Sequence, residues 1–341
     1  MKTKIISFCL ALLAGHACLA QDGYRIVNKF PVPGDGHWDL LAVDDATGRV
    51  FLSHGMETNV VDAKTGKLLA TIPDTKGVHG IAIAPEEKKG FISCKDDSSV
   101  IIFDLESYRV LAHVKVNGSS PDAIIYDPFS HAVVDFNGHS ANATVIDAKT
   151  NTVITDIALP GDPELAVSDG DGHVYVNLED ESMVCSIDAR SWKVEHTWPL
   201  APGKGPSGLA IDVRTHRLFS NCDNKMMVVM DAQSGKVITT LPIGEGVDGA
   251  ACDPVTKRAF APNGEGTLTI VQEDGADQYH VLATVPTQKG ARTIAIDTRT
   301  HHVFLPTAEY GPAPEPTKEQ PRPRPGVVPG TFVLLDIAPK E

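Results

Sequence analysis

Residues 120–159, SPDAIIYDPFSHAVVDFNGHSANATVIDAKTNTVITDIAL, constrain the whole chain, because the rest reads as six looser copies of the same unit. Within the unit, AIIYDP is an apolar run ending in a turn, and HAVVDF, ATVIDA and TVITDI are three further β-rich runs. Four short strands of this kind make one small antiparallel sheet. The residue ending the first strand recurs at Asp44, Ala84, Asp127, Asp169, Asp212, Asp253 and Asp297, at intervals of 40, 43, 42, 43, 41 and 44 residues.

A second landmark keeps the same period. In the turn after the third strand, Asp is followed closely by Thr or Ser, as in Asp62 to Lys67, Asp104 to Ser107, Asp147 to Thr150, Asp188 to Ser191 and Asp231 to Lys236. Side-chain turns of Asp, with glycine at positive φ, account for that composition. Four strands repeating every forty-odd residues are the pattern of propeller blades, so the chain is expected to be all-β, a seven-bladed β-propeller of four-stranded antiparallel blades. Residues 24–32, YRIVNKFPV, form a strand with no partner of their own, and 331–337, TFVLLDI, are a third strand with no fourth. Placing the N-terminal strand outermost in blade seven closes the ring and removes an exposed edge.

Residues 1–20 carry Lys2 and Lys4, an apolar run and the small-residue end Cys18-Leu19-Ala20, which reads as a secretory signal peptide. Residues 21–341 are then a single propeller domain, periplasmic or secreted, with no segment approaching the ~20 apolar residues a membrane span requires. Removing the leader takes two lysines and no acid, moving the formal charge from -14 to -16. That balance argues against nucleic-acid binding, which depends on Lys and Arg neutralising phosphates. Cys94, Cys185, Cys222 and Cys252 lack the spacing of a metal knuckle or a disulfide framework and read as small buried hydrophobes. Residues 308–330 are a proline-rich insertion in blade seven, too rich in proline for strand or helix, and either a lid or a solvated ornament.

Counting back five residues from each first landmark gives Asp39, His79, Asp122, Glu164, Ser207, Asp248 and Arg292, a polar ring on the loop-rich face. Counting forward ten gives His54, Cys94, Asn137, Glu179, Cys222, Asn263 and Thr307, expected as a wider second tier. Trp38 and Tyr310 supply aromatic walls. Crowded carboxylates repel, so such a funnel should shift pKa values or recruit a cation. Asp39, Asp122, Glu164, Asp248, Arg292, Trp38 and Tyr310 are therefore candidate ligand-binding residues. His54, His79 and Glu164 are candidate ligands of a divalent metal ion, and His79 and His54 candidate proton carriers. Arg292 either anchors a ligand carboxylate or phosphate or neutralises Asp39 and Asp248. Ser207 lacks the strand-to-helix turn of a nucleophile elbow.

The segments GVHGIAIAP at Gly77, SPDAIIYDP at Ser120, VYVNLEDES at Val174, PSGLAID at Pro206, GEGVDGA at Gly244, NGEGTLTIV at Asn263, GARTIAID at Gly290 and LPTAEYGPAP at Leu305 resemble the exported YncE-like proteins built from YVTN propeller repeats. The resemblance covers residues 24–337 and implies fold more than chemistry, since similar propellers bind nucleic acid, build surface layers, or act as lactonases and lyases. Three functions are expected from the residues together with what the resemblance implies. The first is binding of a small polar ligand or metal ion in the central funnel, and the second is a metal-assisted lyase or lactone/ester hydrolase using the same funnel. The third is a scaffold for protein partners.

Overall fold

The computed structural model describes residues 23–34, 36–275, 277–315, 317, 323 and 325–340. The expected signal peptide and the middle of the proline-rich insertion lie outside the described residues.

Seven four-stranded antiparallel sheets follow one another around a ring. In blade three the strands are Pro121–Asp127, Ala132–Asn137, Asn142–Asp147 and Thr152–Ala158, paired in sequence order. The second strand is buried along its whole length, because both its faces pack against neighbouring blades, whereas the outer strand alternates with solvent. Seven apolar clusters fill the ring; in one, Phe136 and Val145 of blade three pack with Leu178 and Ile187 of blade four.

The landmarks have physical causes. Asp62 Oδ1 accepts from the backbone N–H of Thr65 (2.8 Å) and its hydroxyl (2.6 Å), and Asp104, Asp147 and Asp231 repeat this with Ser107, Thr150 and Ser234. These bonds hold the Asp62, Asp104 and Asp147 carboxyls below the usual range. In the hairpin joining the first two strands of each blade, the residue before or at the start of the second strand has positive φ: Gly48, Lys88, His131, Gly172, His216, Lys257 and His301.

The N-terminal strand Tyr24–Pro31 pairs with Val333–Pro339 as the outermost strand of blade seven, from Tyr24 opposite Pro339 to Pro31 opposite Val333, with a one-residue shift between Ile26 and Asn28. The ring is thus closed by both termini, as the unpaired end strands predicted. One register expectation fails in blade four. Its first hairpin is one residue shorter, with Ser168 opposite Val174, so the second strand ends at Leu178 and Glu179 lies one residue beyond it.

Candidate functional site

The residues that begin the innermost strands are held in place by ties between blades. The backbone N–H of Asp39 donates to Ser53 Oγ (2.7 Å), and the Asp39 carbonyl accepts from Thr293 of blade seven (2.7 Å). Ser93 of blade two donates to the Asp122 carbonyl (2.5 Å), and Asn177 of blade four to the Gly208 carbonyl (3.0 Å). Ser207 belongs to this set, since its hydroxyl is buried and donates to the Val247 carbonyl (3.0 Å). It ties blade five to blade six and does not face the mouth.

The rest of the ring converges. His79 Nε2 lies 3.7 Å from Asp39 Oδ2. Arg292 Nε lies 2.9 Å from Asp248 Oδ2, and its Nη2 3.9 Å from Asp39 Oδ1. Asp39, His79 and Asp122 offer ligand atoms all within 4.8 Å of one another. His79 Nδ1 lies 2.9 Å from the Gly77 carbonyl, an acceptor only, so Nδ1 carries a proton and the Nε2 lone pair of the neutral ring faces the carboxylates.

Burial and mutual repulsion act on these acids. Burial pushes Asp39 up to about 6, with Asp122 adding to the rise and His79 and Arg292 opposing it. Asp248 is also pushed up to about 6, first by burial, with Arg292 pulling it back. Asp122 is raised by burial as well. Glu164 rises to about 9 through burial and then through Asp122, Glu179, Asp248 and Asp39, so it holds its proton at neutral pH.

The expected second tier is not at the mouth. His54, Cys94, Asn137, Cys222, Asn263 and Thr307 are buried between blades. His54 lies 2.9 Å from Asn59 Oδ1 and stacks on Phe332 at 4.0 Å. It takes no part in the Asp39, His79 and Asp122 cluster. Burial pushes the Cys94 thiol up to about 12 and the Cys222 thiol to about 11, which suits packing, not metal binding.

A cavity of about 1250 Å³ opens on this face, drawn from blades six, seven, one and two. It includes Trp38, Asp39, His79, Arg292 and Tyr310 from the sequence reading, and it adds His37, Glu245, Glu265 and Lys289. Asp122, Glu164 and Asp248 are not among its walls, so the site stands to one side of the ring. The Trp38 and Tyr310 rings lie 6.0 Å apart at 46°. The base of the proline-rich insertion builds part of the wall: Gly311 N–H donates to the Gly326 carbonyl and Val328 N–H to the Glu309 carbonyl, both at 2.9 Å. Glycine two positions before the ring residue, at Gly77, Gly205, Gly246 and Gly290, is the sequence sign of the connections that carry these added residues. Two positions before the ring residue, Gly77, Ser120, Gly205, Gly246 and Gly290 share positive φ, marking where each connection bends into the mouth.

Histidines of the opposite face are engaged in structure. His301 Nδ1 lies 2.7 Å from Asp253, His302 Nδ1 2.7 Å from Asp336, and His173 Nδ1 2.9 Å from Asp169.

No protein-family model matches the chain. It is 25% identical over 187 residues to the uncharacterized protein YncE of Salmonella typhi, and equally to that of Salmonella typhimurium. The match takes in 51% of this chain and 52% of those proteins, about half their length. Among solved structures, a chain of the Kuenenia stuttgartiensis hydrazine synthase is similar with a TM-score of 0.72 at 16% identity, over 80% of this chain and 94% of that one. A chain of the mitotic checkpoint complex gives 0.76 at 13% identity over the full length of both. U3-55K gives 0.75 at 10% identity, over 92% of this chain and 99% of that one. At those identities the structural likeness concerns the fold alone. With the weak YncE homology, the seven four-stranded blades fit a YncE-like propeller protein.

Proposed function

We propose that this protein is an exported propeller that binds a small polar molecule in the cavity beside the ring. The observation that carries this reading is the meeting of His79, Asp39 and Arg292, from three different blades, at the wall of one open cavity with an aromatic pair. Packing alone does not require ionisable groups at these positions, since the uncharged Ser207 occupies the same one in blade five. Screening wild type against a metabolite and lactone panel by thermal shift tests it. Arg292→Met and His79→Gln should keep the fold and lose the binding; equal behaviour of all three proteins toward every compound found would defeat the proposal.

A second reading, catalytic, rests on the Asp39, His79 and Asp122 cluster. Two carboxylates and an imidazole Nε2 are a donor set suited to a divalent ion. A bound ion would supply Lewis acidity to an ester or lactone carbonyl, the chemistry of a lyase or lactone hydrolase. His79, as a ligand, would then not move the proton. Melting with Mn²⁺ or Zn²⁺ tests the ion: a rise in Tm lost in Asp39→Asn and Asp122→Asn supports it, and no rise removes it.

A further inference from the structure

We propose that the ligand of this cavity carries an anionic oxygen group, carboxylate or phosphate, seated between Arg292 and Lys289, with a flat ring laid against Tyr310, which Trp38 backs. This rests on the cavity being the binding site, and it adds the chemical class of the occupant.

The charge of the walls carries the first half. The cavity has four basic side chains, His37, His79, Lys289 and Arg292, and three acids, Asp39, Glu245 and Glu265. Each acid is already engaged. Glu245 pairs with Lys225 at 2.9 Å, outside the cavity walls, and Glu265 accepts from the Thr267 hydroxyl at 3.0 Å. Asp39 is shared between His79 at 3.7 Å and Arg292 at 3.9 Å. The cations are less fully used. The exposed Lys289 ammonium has no partner among the described residues, its backbone carbonyl alone accepting a bond, from Thr307. Arg292 spends Nε on Asp248 and Nη2 on Asp39, and Nη1 has no partner among the described residues. Lys289 and Arg292, three residues apart, both line the cavity, and an anion's oxygens seated between them would take charge-assisted hydrogen bonds.

Backbone geometry carries the second half. Gly290, between the two cations, has φ 88°, and a Cβ there would stand 2.6 Å from Tyr310 Cε2. Only glycine lets the tyrosine ring lie against this backbone. Tyr310, 39% exposed, is fixed by its bridge to Val327, and Trp38 beneath it is buried. Burial raises the phenol of Tyr310, so at neutral pH it is an uncharged face beside the cations. An aromatic plate next to a guanidinium and an ammonium matches a ring bearing an acid group.

Calorimetric titration with inorganic phosphate, phenyl phosphate, benzoate and benzyl alcohol tests this on wild type, Arg292→Met, Lys289→Met and Tyr310→Ala, each checked for an unchanged melting curve. The expected result is binding of phenyl phosphate or benzoate, with benzyl alcohol at least about tenfold weaker. Which of the two acids binds tighter identifies phosphate or carboxylate as the anion. Lys289→Met and Arg292→Met should each weaken the ring acids by about tenfold, and Tyr310→Ala should weaken phenyl phosphate while leaving inorganic phosphate unchanged. Lys289 is exposed, so its variant decides the matter even if Arg292→Met disturbs the fold. Benzyl alcohol binding as tightly as the acids, or acids bound equally by all four proteins, would overturn the proposal. Binding of neutral polar compounds without the acids would overturn the class and leave the cavity reading standing. No binding of any compound would overturn both.

Discussion

Asp135 makes the sharpest test of how this fold is held together. It is the fourth residue of the second strand of blade three, where the other blades place Leu52, Ile92, Val176, Ser220, Ala261 and Leu305. It is 0% exposed, and neither carboxylate oxygen has a hydrogen-bond partner among the described residues. Burial, then repulsion from Asp122, raises its pKa well above the ordinary carboxylate value. The folded protein therefore keeps the Asp135 proton to higher pH than the unfolded chain, which releases it above about pH 4. A raised carboxyl pKa costs stability as pH rises: the loss begins near pH 4 and grows by up to about 1.4 kcal/mol per pH unit until the folded-state pKa is reached. The unmet hydrogen bonds of the protonated acid add about 1 to 3 kcal/mol at any pH. Asp135→Val, the residue of blade four, removes both costs with little change in volume, and Asp135→Asn removes only the pH-dependent one. In thermal melts, Asp135→Val should be more stable than wild type by about 1 to 3 kcal/mol from the unmet hydrogen bonds alone, which is a Tm rise of roughly 2 °C or more in a chain of this size, with the pH-dependent part added to it. The gain should be larger at pH 8 than at pH 5. Asp135→Val melting at or below wild type at pH 8, or a gain that does not change between the two pH values, would refute the reasoning.

Deleting the N-terminal strand Tyr24–Pro31 exposes the edge of Val333–Pro339, so the truncated protein should melt well below wild type, and equal melting would break the ring-closure argument. Glu164→Gln should stabilise the protein by an amount that grows from about pH 5 up to about 9, because the glutamate is raised to about 9 in the fold; urea unfolding across that range checks it. Phosphate or benzoate affinity should increase as pH falls through about 6, since Asp39 and Asp248, each raised to about 6, then release Arg292. His79, Asp122, Lys95 and Asp223 also act on that pair, so the titration should be repeated in Asp248→Asn, where the pH dependence should shrink; an undiminished profile would place the switch elsewhere.

The ring was legible without coordinates because its determinants are local. An Asp that caps its own turn, as Asp62 does with Thr65, and an apolar run whose length matches one strand repeat at a fixed spacing, and counting them fixes the blade number and the closing role of Tyr24–Pro31. The polar ring followed from the same count. Counting failed wherever a single residue was lost or a face was reversed. Blade four's shorter hairpin replaced Glu179 by Leu178 at the strand end, and period-two alternation in a strand buried on both faces gave no sign that His54 would sit on Phe332 instead of at the mouth. Asp135 reads in the sequence as one more polar residue in a strand, and only packing against blade two makes it a buried, unpaired acid. The candidate site depended most on tertiary structure, because its parts come from opposite ends of the chain: Asp39 is tied to Thr293 and salt-bridged to Arg292, 253 residues away, only because the ring closes. Sequence determines which residue each blade offers at the mouth; the small offsets of loops such as Lys289 to Arg292 and Tyr310 to Gly326, set by packing across blades, decide which of them share a cavity.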